Sequence, residues 1–183
     1  PDNMMSQLFE AGVDVFLTAN NHTCDKGAKG IRRTIHVMDS LGIPHTGTWL
    51  DSTDYFQRNP LIIDKNGFRI AVLNYTYGTN GIPVPKPFMV NMLDSVNIFN
   101  DIATARATDA DYIIVMPHWG IEYERHQNKA QAGYARYMYE CGADMVIGGH
   151  PHVVQPITLE NRNEYGVAQR VTAYSLGNFV SNQ

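Results

Sequence analysis

Three short apolar runs set the terms on which this chain can fold. They read VDVFLTA over 13–19, DYIIVM over 111–116 and ADMVIG over 143–148. Each runs directly into a polar segment: Asn20-Asn21-His22 after the first, Pro117-His118-Trp119-Gly120 after the second, Gly149-His150-Pro151-His152 after the third. Apolar runs of about four to eight residues bounded by turn signals are the mark of strands buried on both faces. Such strands are parallel and need helical crossovers. The segments around them supply these: Met4, Met5, Leu8 and Phe9 have helical spacing over 3–11, and Ile31, Ile35 and Met38 form one face of a second helix that Gly42 closes. IPHTG then begins another short strand, completing a strand–helix–strand unit of an α/β fold.

The middle of the chain changes character. PLIID and FRIAVLNYTY flank Asn66-Gly67, a hairpin signal. TNGIPVPKP, rich in proline and glycine, reads as a surface loop. A helix is predicted over 94–107, with Ile98, Phe99 and Ile102 inward and Asp94 or Ser95 as N-cap. PHWGIEYERHQ is a loop, 129–141 a helix closed by Gly142, and the last segment a second hairpin turning near Asn163–Gly166. The 183 residues suit a single domain over 1–183.

Composition excludes more than it selects. With 44% hydrophobic and 17% charged residues the chain is globular, and a net charge of −4 without a basic run gives a nucleic-acid partner no support. No stretch reaches the roughly 18–20 apolar residues of a membrane span. Cys141 shares a helical stripe with Ala130, Tyr134 and Met138 and reads as a small core residue. Cys24, within NNHTCDKG, is placed near the chemistry without a clear activating base. Trp119 and Phe179 are expected to pack, and His36, His45 and His126 to be structural.

The chemistry concentrates at the ends of the three runs. In an open α/β sheet ligands collect at the carboxyl edge of the strands, so the three polar segments are expected to converge on one site. Neutral imidazole and amide oxygen are ligands for zinc, manganese or iron. His150 and His152, two residues apart on a segment read as extended, are expected to point to opposite sides of the backbone.

Four ordered motifs, ANNHTCDKG, HWGIEYE, CGADMVIGGHPHVVQPI and AYSLGNFV, resemble the CapA family of capsule (poly-gamma-glutamate) biosynthesis proteins. That family is similar to the calcineurin-like metallophosphoesterases, and the resemblance implies a four-layer α/β/β/α sandwich with a two-metal site. It implies Asn21, His118, His150 and His152 as metal ligands, His22 as the acid that protonates the leaving group, and Asp25 as the residue orienting it. Glu122 matches the family as well; substrate binding is its assigned role, with a structural contact as the alternative.

The resemblance also implies an acidic strand end and a metal-bridging carboxylate ahead of the Asn-His motif. Only nineteen residues precede Asn20, and Asp2, Glu10 and Asp14 lack that setting. The expectation is a sandwich incomplete at its N-terminus, part of a longer parent that binds two divalent cations, with at most one bound weakly here. The implied activity is phosphate-ester hydrolysis at the cell envelope. The alternative is a non-hydrolytic component that handles an anionic polymer during capsule synthesis or export.

Overall fold

The computed structural model describes residues 2–161 and 169–179. In chain order the elements are α1 (Asp2–Glu10), β1 (Phe16–Leu17), α2 (Gly27–Ser40), β2 (His45–Thr46), β3 (Thr48–Trp49), α3 (Ser52–Arg58), β4 (Leu61–Lys65), β5 (Phe68–Thr76), β6 (Met89–Val90), α4 (Ser95–Arg106), β7 (Tyr112–His118), α5 (Lys129–Cys141), β8 (Met145–Ile147), β9 (Ile157–Asn161) and β10 (Gln169–Ala173). Six strands form one sheet in the order β4-β5-β7-β8-β10-β9. Its four inner strands run parallel, and each outer strand is antiparallel to its neighbour. The inner carboxyl ends therefore share one edge.

Alternation along the inner strands separates two packing layers. Ala71, Leu73 and Tyr75 of β5 and Ile113 and Val115 of β7 join Ile98 and Ile102 of α4 and Ala135 and Met138 of α5 in one core. Ile98, Ile102 and Met138 are fully buried, which is worth about 1.5–3 kcal/mol for each side chain. Asn74, Met116 and His118 lie on the other face by the same period of two. There the pairs β1-β2 and β3-β6 intervene between the large sheet and α2, which contributes Ile31 and Ile35 to a second core with Ala19, Phe88 and Val90. The result is helix, strand, strand, helix: the four-layer sandwich.

Local signals explain most boundaries. Asp94 caps α4 by accepting from the Val96 and Asn97 amides, and Asn128 with Gln131 forms a reciprocal capping box on α5. Gly142 ends α5 in the left-handed conformation, and Asn66-Gly67, both at positive φ, turn the β4-β5 hairpin.

Several expectations need correction. The first run pairs only over Phe16–Leu17, in a small sheet of its own with β2, so the three polar segments do not leave one sheet. α3, β3 and β6 were not anticipated. Phe99 is 56% exposed because Ile98 and Ile102 already occupy the buried stripe of α4, and Phe179 is 95% exposed instead of packed. The helix α1 forms, but Met4 and Phe9 remain exposed. The predicted turn near Asn163–Gly166 lies outside the described residues; its flanking strands pair as the expected hairpin.

Candidate metal centre

Backbone pairing delivers the histidines. β7 and β8 continue past their last ladder residues: the Gly149 amide donates to the Pro117 carbonyl and the Trp119 amide to the Gly149 carbonyl, both at 3.0 Å, which sets His118 beside Gly149. Gly148 makes this possible. A Cβ there would meet the Tyr174 carbonyl oxygen and the Trp119 indole nitrogen. Trp119 is fully buried, its indole N–H donating to the Tyr174 carbonyl at 2.9 Å.

From the first polar segment, an Asx-type turn presents Asn21. The Asn20 side chain accepts from the His22 amide at 2.9 Å, and Thr23 Oγ1 donates to the Thr18 carbonyl at 2.6 Å. Buried Asn74 ties this segment to the large sheet. Its Oδ1 accepts from the Ala19 amide at 2.7 Å and its Nδ2 donates to the Met116 carbonyl at 2.8 Å.

The residues expected to converge are brought together. Asn21 Oδ1 lies 2.9 Å from His118 Nε2, and the His118 and His150 ring centroids are 4.7 Å apart. His150 and His152 are separated by 6.1 Å between ring centroids. Asn21, His22, Asn74, His118 and His152 line one cleft of about 370 Å³. Asp25 accepts from His22 Nδ1 at 2.8 Å, and both side chains are accessible.

One geometric expectation fails. His150 and His152 do not lie on an extended segment; their φ values of 102° and 62° are in the left-handed region. Such conformations cost a side-chain-bearing residue roughly 1–3 kcal/mol and concentrate at functional sites. The backbone twist turns both rings toward Glu122, and the three residues offer ligand atoms within 4.8 Å of one another.

His118 is lowered to a pKa of about 3, first by burial and then by repulsion of its protonated form from the nearby imidazoles of His150, His152 and His22. His150 is lowered as well, first by burial, with the Glu122 charge opposing the shift. Both rings are thus neutral near pH 7, the state in which imidazole ligates. The donor set of neutral imidazoles and amide oxygen fits a borderline divalent cation.

Other residues of the site were not anticipated. Tyr77 stacks on His118 at 6.4 Å and approaches His150 at 4.8 Å. Asn80 accepts from Asn21 Nδ2 at 3.2 Å. Asn178 accepts from His152 Nδ1 at 2.9 Å, and its signal was present in the SLGNFV motif. For Asn74 the signal was an amide in the middle of an apolar strand. The histidines set aside stay outside the site: His36 and His126 are exposed, and His45 is buried with Nδ1 donating to the Ile43 carbonyl at 3.0 Å. Cys24 is buried and its thiol pushed up, first by burial, so a reactive role does not stand.

The family model described as bacterial capsule synthesis protein PGA_cap matches residues 1–183. The chain belongs to that family. It is 33% identical over 180 residues to the capsule biosynthesis protein CapA of Bacillus anthracis, a match covering 95% of this chain and 41% of that protein. It is 32% identical over 178 residues to the PGA biosynthesis protein CapA of Bacillus subtilis (strain 168), covering 96% and 44%. The chain thus spans less than half the length of these PGA_cap relatives. Among solved structures it resembles the NAD nucleotidase of Haemophilus influenzae, with TM-score 0.62 at 15% identity, covering 95% of this chain and 37% of that one. It also resembles the sulfate thiohydrolase SoxB of Thermus thermophilus, with TM-score 0.59 at 17% identity, covering 96% and 30%. These neighbours establish the calcineurin-like fold of this PGA_cap chain. No helix among the described residues is long and apolar enough to cross a membrane.

Proposed function

We propose that this PGA_cap chain carries the catalytic edge of a metal-dependent phosphoesterase acting at the cell envelope in capsule or poly-gamma-glutamate biosynthesis, with two divalent cations bound in the complete protein. The supporting observation is the convergence of Asn21, His118, His150 and His152 from three separate segments on one cleft edge. Cations bound there would lower the pKa of a water and offset phosphoryl charge. The chain's own contribution is positional. Burial favours the neutral form of His118 and His150, the state in which imidazole ligates. Asp25 accepts from His22 Nδ1, and with the ring in its imidazolium form the proton on Nε2 would be handed to the leaving oxygen.

The test uses the full-length protein with manganese or zinc and aryl and alkyl phosphodiesters. His118→Ala and His150→Ala should each lose metal and turnover. His22→Ala should keep its metal and lose turnover mainly on the alkyl ester, whose poor leaving group needs the proton. Equal metal loss in all three variants refutes the assigned roles.

A second reading has its own support. Lys29, Arg32, Arg33 and His36 share a groove along α2, a basic face suited to an anionic polymer held without hydrolysis. Polymer binding by a protein that holds metal yet turns over neither ester would favour it.

A further inference from the structure

Two sets of prospective ligands differ in how they are satisfied. Asn21 Oδ1 and His118 Nε2 are closed on each other at 2.9 Å, so the ring donates and the amide accepts. The other set is not closed. His152 Nδ1 lies 2.9 Å from Asn178 Oδ1, which can only accept. Nδ1 therefore carries the proton and Nε2 presents a lone pair. Facing Nε2 at 3.9 Å is Glu122 Oε1, a second acceptor. Two acceptors aimed at one space repel unless a proton or a cation stands between them.

The turn bearing the carboxylate is held in place. The Tyr123 amide donates to the Pro151 carbonyl at 2.8 Å, and the Tyr123 ring stacks on His152 at 5.7 Å. Gln155, 2% exposed, donates to the Glu124 carbonyl at 2.8 Å and the His126 carbonyl at 3.2 Å. Gln131, also 2% exposed, donates to Gln155 Oε1 at 2.8 Å. A cation about 2.1 Å from each of three donors in tetrahedral geometry needs those donors about 3.4 Å from one another. The three ligand atoms lie within 4.8 Å of one another, so a bound cation would draw the side chains inward.

We propose that Glu122 is a direct metal ligand rather than a substrate contact, and that with His150 and His152 it forms the set that takes the first divalent cation. The assignment rests on the metal-binding part of the reading above. It adds what the other ligands lack. Asn21, His118, His150 and His152 are all neutral donors, and Glu122 brings a negative charge against the cation.

The experiment is calorimetric titration of the full-length protein with Mn²⁺ and with Zn²⁺, alongside the Co²⁺ absorption spectrum. Glu122→Gln, isosteric and at an exposed position, should weaken the first equivalent by at least about 100-fold and alter the Co²⁺ bands. Glu122→Asp should keep part of the affinity, and Glu124→Gln, on the same turn, should match wild type. Circular dichroism of the metal-free variants reports their fold, with Glu122→Asp as the second carboxylate test. First-equivalent affinity unchanged in Glu122→Gln overturns the assignment alone. So does unchanged affinity with an altered pH titration of the His152 ring, which makes Glu122 an ion-pair partner of a protonated imidazole. Wild-type protein that takes up neither cation overturns both this assignment and the reading beneath it.

Discussion

Asn74→Ala removes one buried amide that joins three segments, and its cost follows from what is left behind. The Ala19 amide loses its acceptor at 2.7 Å, and the Met116 carbonyl loses its donor at 2.8 Å. Asn74 is 1% exposed, so water does not simply replace it. An orphaned buried polar group costs about 1–3 kcal/mol, which gives roughly 2–6 kcal/mol for the pair. Against a total stability of about 5–15 kcal/mol that is a large share. With a urea m-value near 2 kcal/mol/M, the unfolding midpoint should fall by roughly 1–3 M with m unchanged. Asn74→Asp sharpens the test. A carboxylate still accepts from Ala19 but sets its other oxygen against the Met116 carbonyl, so folding favours the protonated acid and raises its pKa above about 3.9. A raised acid pKa means the folded state binds more protons, and stability falls as pH rises through that window. The deficit relative to wild type should therefore be smaller at pH 4.5 than at pH 7. An Asn74→Ala variant within about 0.5 kcal/mol of wild type would refute the tether, because changes that size are typical of surface sites that hold nothing together.

Gly148→Ala should destabilise by about 1–3 kcal/mol in urea unfolding, since the added carbon meets a carbonyl oxygen and a buried indole; the near-ultraviolet dichroism of Trp119 should change with it. His45 is lowered from 6.5 chiefly by burial, so the unfolded chain binds its proton first. Its contribution is complete above about pH 6.5 and declines as pH falls below that value. The stability-against-pH slope between 6.5 and 5 should be shallower in His45→Gln, measured by urea midpoints. Cys24, 1% exposed with its thiol pushed up, should react with a disulfide reagent at pH 7.5 only after denaturant is added.

The long elements were legible because their residues repeat a local pattern. FRIAVLNYT and DYIIVM are apolar runs longer than any turn, and Ile31, Ile35 and Met38 mark one face of α2 whatever packs on it. The carboxyl-edge argument holds for His118 and His150, which leave adjacent strands of one sheet, while Asn21 and His22 reach the same cleft from a separate two-stranded sheet. Short elements were not legible: β3 and β6 are two residues each, and exist because Thr48 and Trp49 meet Val90 and Met89 across forty positions of chain. The same limit hid the positive φ of His150 and His152, which follows from pairing of Gly148 and Gly149 with distant strands. Tyr77 and Asn80 join the site through the fold, and no spacing within their own segments announces it.

Gln131 occupies two roles at once. Its backbone amide and side chain close the capping box that begins α5, while its Nε2 grips the Gln155 that anchors the Glu122 turn. The turn therefore moves only by giving up buried hydrogen bonds that continue into the first turn of a core helix. Opening of that turn is therefore expected to be slower and rarer than the free motion of a surface loop. In hydrogen-exchange terms, the amides of Gln131 and Ala132 should open in step with that of Tyr123.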